Sequence, residues 1–377
     1  MSLESSKTMS SEPTKKTLLA VIGTRPELIK MAPVIQAFQD DPEFDLKVCL
    51  TGQHTDLIES VQAVFPIQAD ESLALMTENQ KLWGFAGKLL LALGEVIEKH
   101  KPVGVLGQGD TSTTFVAALA AFYSSVPFFH VEAGLRTHDL YNPYPEEANR
   151  VLAGRLASLH FAPTEKAAQN LRDEGIAEEL ILNTGNTVVD ALTQIKAQLN
   201  PAPANGRKRI LATVHRRENI GAPLKGICAA FRRLAERGDI EILIPVHPNP
   251  NVRAIVEQEL AGVEGIKLSP PLNYLELLQE LNNATLVLTD SGGIQEEAPS
   301  FGKPTLILRR TTERAEAVEA GVAKLIGTDE EDIFNEASLL LDDPAAYQAM
   351  VATVSPFGDG TASIQIREAV RGFLKAR

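Results

Sequence analysis

The sequence predicts an α/β chain carrying two parallel sheets with helices on both faces. Three observations lead there. Short apolar, β-branched runs alternate with longer helical patterns, as strand–helix–strand units require. That alternation occurs twice, on either side of the polar stretch "NPAPANGRK" (Asn200–Lys208). The 377 residues, 44% hydrophobic and 23% charged, are enough to fill two cores.

Residues 1–16, "MSLESSKTMSSEPTKK", are polar and Ser-rich with no apolar stretch. They read as a disordered tail and not as a signal peptide. The strands of the first run are "LLAVIG", "DLKVCLTG", "VGVLGQGD", "VPFFHVEAG" and "LHFAPT". Those of the second are "RILATVH", "EILIPVHP", "GIKLSP", "ATLVLTD" and "PTLILR". Each is a short, largely apolar run, as expected of a strand buried on both faces. Between them, "TTFVAALAAFYSS" and "LKGICAAFRRLAERG" carry helical periodicity. "NTGNT" (Asn183–Thr187) offers an earlier hinge than the polar stretch, and "PFGDGTAS" breaks the chain before a last helix, "IQIREAVRGFLKA".

Bulk properties exclude several classes. A net charge of −13 argues against nucleic acid as a partner. Cys49 and Cys228 lie far apart without metal-ligand spacing, so neither a disulfide framework nor a thiolate metal site is expected. No apolar run reaches the length of a membrane span, and a cytoplasmic protein is expected.

In open α/β sheets ligands sit beyond the carboxyl ends of the strands, so the chemistry should follow strands. "VIGTRPELIKMAP" turns at Gly23, starts a helix at Pro26, and carries Arg25 and Lys30, two cations suited to a diphosphate. Pro33 should disturb that helix. "GQGDTST" is half of a dinucleotide fingerprint: Ser112 replaces the third glycine and no acidic strand end follows at the right distance, so NAD is rejected. Asp110 there is either a cap for the next helix or a cleft carboxylate. "HVEAGLR" puts Glu132 at another strand end. "YNPYPEEANR" starts a helix at Pro145 with Glu146 and Arg150 four apart, where an ordinary helix salt bridge competes with a site role. Asp110, Glu132 and Glu146 would meet in one cleft, where crowding splits carboxylate pKa values into acid and base. No His or Cys cluster accompanies them, so no transition metal is expected, with a weakly held magnesium as the alternative.

In the second run, "VHRREN" supplies His215, either a structural histidine or one that meets a phosphate or a proton. "DSGGIQEEAP" turns from strand into helix at Ser291, Gly292 and Gly293. Glycines admit close backbone approach, and helix N-termini attract phosphate. Glu297, one turn on, suits ribose hydroxyls. "RRTTERAEA" adds Arg310 and Arg314 as a second clamp on a diphosphate.

Together "GTRPELIKMAP", "TGQH", "GDTSTT", "HVEAGLRT", "PYPEEANR", "TGNTVVDAL", "HRREN", "PVHPNPNVR" and "LTDSGGIQEEAPSFGKPTLILRRTTER" resemble the non-hydrolysing UDP-N-acetylglucosamine 2-epimerases, from about Leu18 to the C-terminus. The resemblance implies a glycosyltransferase-B-like fold. Its parts would be two Rossmann-like domains, residues 17–184 plus 358–377 and residues 185–357, with parallel sheets and the active site in the cleft between them. It implies UDP contacts from Arg25, His215, Ser291, Gly292, Gly293, Glu297 and Arg314. Lys30, Asp110, Glu132, Glu146 and Arg150 would be sugar-side and catalytic, with His215 assisting. It also implies a homodimer and no cofactor. Two departures stand out. Ala315 replaces a proline common after the "TTER" arginine. The loop that binds an activating second UDP-GlcNAc keeps Gln53 and His54, but Asp56 replaces a longer polar residue and "LMTENQKLWGFAGK" lacks an arginine. Weak or absent activation is expected.

The implied reaction follows from the substrate's chemistry. The sugar C2–H has no adjacent carbonyl and is barely acidic, so its removal must accompany departure of UDP from C1. That yields 2-acetamidoglucal, to which UDP re-adds with protonation on the opposite face. Alternatives are an epimerase for a modified UDP-hexosamine, a hydrolysing epimerase releasing N-acetylmannosamine, a glycosyltransferase, and a UDP-sugar sensor without turnover.

Overall fold

The computed structural model describes residues 15–52, 65–75, 80–200, 206–312, 314–351 and 355–377. Gln53, His54, Asp56, Asn79 and the tail through residue 14 lie outside them. The chain divides into two compact units. One contains Ile67–Asn183 and Ser363–Arg377 with the N-terminal strands, the other Thr184–Ala362.

The first unit holds β1 (Lys16–Ile22), β2 (Phe44–Leu50), β3 (Glu71–Ser72), β4 (Gly104–Gln108), β5 (Phe128–Val131), β6 (Leu159–Ala162) and β7 (Ile181–Asn183). They form one parallel sheet in the order β3-β2-β1-β4-β5-β6-β7. The second unit holds β8 (Lys208–Thr213), β9 (Ile240–Pro245), β10 (Ile266–Ser269), β11 (Leu286–Thr289), β12 (Thr305–Ile307) and β13 (Ala323–Leu325). Their parallel order is β10-β9-β8-β11-β12-β13. Both units are Rossmann-like. In each, strand order reverses at one place, between β1 and β4 and between β8 and β11, which is where such sheets open a crevice for ligands.

Every strand expected from sequence is present. The additional ones, β3, β7 and β13, are only two or three residues long and carry too little pattern to be read. Central strands are buried on both faces, with Leu18, Leu19, Ala20, Leu286, Val287 and Leu288 fully covered. Cys49 and Cys228 are free thiols buried in the two separate cores. The helix Arg25–Gln39 runs on through Pro33, which is buried in its interior, so the expected disturbance does not end it. The last helix, Ala362–Ala376, belongs to the first unit: Phe373 meets Phe129 edge-on at 5.5 Å and Arg367 lies 3.5 Å from Asp41. Among the described residues no helix is long and apolar enough to cross a membrane.

Candidate functional site

In the first unit, functional side chains gather at the ends of β1, β4 and β5. Thr24 caps the helix Arg25–Gln39, and Glu27 closes the capping box by accepting from the backbone N–H of Gly23 (2.5 Å) and Thr24 (3.3 Å). Arg25 is therefore the first helical residue and Pro26 the second, one position later than the sequence placed the proline. Glu27 is buried, and burial pushes its pKa up from 4.5 to about 7. The Thr111 hydroxyl and the two backbone donors oppose that rise, while the charge of Asp110 adds to it.

Lys30 was expected to join Arg25 on a diphosphate. Its ammonium instead lies 2.5 Å from Glu132 Oε1. Five residues, about 1.4 turns, separate it from Arg25, so the two side chains leave the helix in different directions. Glu132 follows β5 directly, with φ +59, a left-handed conformation that costs a non-glycine residue energy. Its other oxygen accepts from the Gln108 amide.

At the end of β4 the chain turns at Gly109 (φ +73), and Thr111 caps the helix Ser112–Tyr123. Asp110 is thus not the cap. It is ion-paired with Arg150, while Asn149 donates to its backbone oxygen at 3.0 Å. Arg150 also lies 3.1 Å from Glu147, so the Glu146–Arg150 helix pair gives way to Asp110–Arg150 and Glu147–Arg150. The reason is burial: Glu147 faces inward and takes the backbone N–H groups of Thr137 and His138, both at 3.0 Å. Glu146 Oε2 is buried without a hydrogen-bond partner among the described residues. Fully buried His130, pushed down to about 4 by desolvation, is neutral and bonds the Gly109 carbonyl at 2.8 Å.

In the second unit the site gathers at β8 and β11. Asp290, wholly buried, follows β11 and accepts from the backbone N–H of His215 (3.0 Å), that of Arg216 (2.9 Å) and the Asn219 amide (2.9 Å). One carboxylate thereby shapes the whole turn after β8. His215 Nδ1 stands 3.3 Å from Asp290 Oδ1, and the ring stacks on His247 at 5.2 Å. Burial lowers its pKa, against the pull of Asp290; His247, Arg216 and Arg309 lower it further. With Nδ1 facing a carboxylate, the neutral ring presents Nε2 as an acceptor.

Ser291 stands at the start of the helix Gly292–Glu297, and its hydroxyl makes no cap bond. That helix is six residues long. A Cβ at Gly292 would lie within ordinary contact distance of Arg216 Nη2, at 3.4 Å, and of Arg314 Cζ, at 3.5 Å. Two guanidiniums thus approach one backbone position from different loops, an arrangement suited to a multiply charged anion. At Gly293 a Cβ would meet only Ser291 Oγ, at 3.9 Å. Arg314 is held by Glu296 at 2.8 Å, and Glu297 accepts from the Tyr274 hydroxyl at 3.1 Å. Arg310 does not join Arg314. It is exposed and lines a separate hollow with Ala222, Thr328 and Glu330, while Arg309 beside it is buried and paired with Glu218 at 2.8 Å.

Sequence reasoning did not assign Glu27, Gln108, Glu147, Arg216, Tyr274, His247 or Asp290. Glu27 carried a legible signal, the Thr-x-x-Glu capping box; the others act through contacts distant in sequence.

The chain matches the family model described as UDP-N-acetylglucosamine 2-epimerase over residues 36–371. It is 47% identical over 368 residues to the Escherichia coli K12 UDP-N-acetylglucosamine 2-epimerase, covering 94% of this chain and 98% of that protein. Among solved structures it is similar to the Neisseria meningitidis UDP-GlcNAc 2-epimerase bound to UDP-GlcNAc, with TM-score 0.86, 43% identity, and coverage of 94% and 100% of the two chains. It is also similar to the S. aureus MnaA–UDP co-structure, with TM-score 0.84, 43% identity, and coverage of 96% and 97%.

Proposed function

We propose, from the premise that this chain belongs to the UDP-N-acetylglucosamine 2-epimerase family, that it interconverts UDP-N-acetylglucosamine and UDP-N-acetylmannosamine without hydrolysing either. The observation that carries the chemistry is a pair of carboxylates at the ends of adjacent strands, each set against its own cation: Glu132 with Lys30 and Asp110 with Arg150. Two separately held carboxylates are what a reaction with one proton removal and one proton delivery needs.

In the forward direction a carboxylate takes the C2 proton as the C1–O bond breaks. The C–H electrons form the C1=C2 bond of 2-acetamidoglucal, and UDP leaves with the C1–O pair. A proton then adds to C2 from the opposite face, and UDP oxygen re-forms the bond at C1. Atoms and electrons balance without a redox cofactor. Asp110 and Glu132 handle the C2 proton on the two faces, with Glu146 and His215 in support. Arg25, Ser291, Gly292, Gly293 and Arg314 take the diphosphate, and Glu297 the ribose. Donors fixed in advance around the leaving diphosphate stabilise the charge developing there.

The test is turnover in D₂O. Both UDP-hexosamines should gain one deuterium at C2, seen by mass spectrometry, and chromatography should show the UDP-sugars retained. Asp110→Asn and Glu132→Gln should each slow epimerisation by at least about 10²-fold. Epimerisation without deuterium at C2 would overturn the elimination route. Release of free N-acetylmannosamine would overturn the non-hydrolysing assignment.

A further inference from the structure

The Gln108 amide is used neither by the family motifs quoted above nor by the roles just proposed. It is buried, it is the last residue of β4, and its Nε2 donates to Glu132 Oε2. Lys30 Nζ takes the other oxygen, Oε1, at 2.5 Å. Glu132 is therefore gripped at both oxygens by two donors from different elements, β4 and the helix Arg25–Gln39. Three further observations mark this grip as built. Glu132 sits in a left-handed backbone conformation at φ +59, which survives only where surroundings over-determine it. The Gly109 turn (φ +73) wraps beside the same carboxylate, with a hypothetical Cβ 3.7 Å from Glu132 Oε2. His130, from β5, holds the Gly109 carbonyl at 2.8 Å, so that turn cannot drift.

We propose that Gln108 is a positioning residue for the reaction: its amide, opposing Lys30, fixes the Glu132 carboxylate in one orientation and favours its charged form. The inference rests on the assignment of Glu132 to proton transfer at C2. An amide suits the task because it donates without titrating, so the grip is the same at every pH. A donor to the ionised form also lowers a carboxyl pKa. The groups whose charges bear on Glu132 are Lys30 from the first helix, Asp110 on the β4 turn with its partner Arg150 from the helix Glu146–Leu156, and Glu27 beside Asp110. His130 lies within β5 and Arg136 follows it; His130 is neutral, and Arg136 is bound to Glu174 at 2.6 Å.

Two substitutions test it. Gln108→Met keeps length and removes the donor. Epimerisation kcat should fall about 10-fold or more, the worth of a hydrogen bond to a charged group, with KM for the UDP-sugar nearly unchanged. The acidic limb of the kcat/KM pH profile should move to higher pH, because the carboxyl loses a donor to its charged form. Gln108→Glu puts a second carboxyl against the first. Its activity should survive at low pH, where the new group is protonated and donates, and collapse as pH rises. A purely structural role would lower the melting temperature or kcat but leave the shape of both profiles unmoved, and that result overturns the proposal. Glu132→Gln, run alongside, separates the premise. If it retains full activity, the assignment of Glu132 fails. If it is inactive while both Gln108 variants keep the parent kcat and pH profile, the positioning role fails alone.

Discussion

Glu27→Gln isolates the energetic cost of one buried carboxyl. Glu27 is 2% exposed and closes the capping box of the first helix, with its pKa raised from 4.5 to about 7, chiefly by desolvation. Folding therefore tightens its proton. The resulting stability is fully present below 4.5, where the unfolded carboxyl is also protonated, and is lost as pH rises through about 7. At 1.36 kcal/mol per pKa unit the whole loss is about 3 kcal/mol, of which about 2.5 falls between roughly pH 5 and pH 8. Glutamine keeps the carbonyl oxygen that accepts from Gly23 and Thr24, but it never ionises. Urea denaturation of parent and variant across that range, reading the transition of the unit that holds Glu27, should show the variant gaining on the parent as pH rises, by about 2–3 kcal/mol in all. Titrating groups that do not interact with Glu27 cancel in the difference; Asp110, whose charge raises the Glu27 pKa, is the exception. A stability difference that is flat with pH, or one that favours the parent increasingly at high pH, would refute the claim that Glu27 is held protonated by burial.

Three further outcomes are expected. Arg25→Ala and Ser291→Ala should each weaken UDP binding by calorimetry, since the first stands at a helix start beyond β1 and the second has a hydroxyl that makes no cap bond; unchanged affinity in both would remove them from the diphosphate site. Ile366→Ala, at a fully buried position of the last helix, should cost about 2–5 kcal/mol in chemical denaturation, and a cost below about 1 would mean that this helix packs loosely. Conversion of UDP-ManNAc should proceed without added UDP-GlcNAc, because Asp56 and the segment around Asn79 depart from the activator-binding pattern; a strict requirement for UDP-GlcNAc would show the opposite.

The order of elements and the strand-end location of the candidate site residues were determined locally. Buried parallel strands are continuous apolar runs, and ligand-facing turns are Gly-rich, so "DSGGI" and "GQGD" could be read without the rest of the chain. The capping box at Thr24 and Glu27 was equally local. Which charge meets which was not. Lys30 and Glu132 are 102 residues apart, and Asp110 and Arg150 are 40 apart, so only the folded sheet brings each pair together. Glu146 and Glu147 are identical in type and adjacent in sequence. Helical rotation alone decides that Glu147 turns inward to hold a loop, while Glu146 keeps a buried oxygen without a partner among the described residues. Arg310 and Arg314 looked alike as two halves of a diphosphate clamp, yet the chain past β12 sends one to a separate hollow and the other over Gly292. Side-chain identity follows from sequence, whereas ion pairing and burial depend on distances that exist only after strands 75 or 100 residues apart have been laid side by side, as Asp290 shows by shaping the turn at His215.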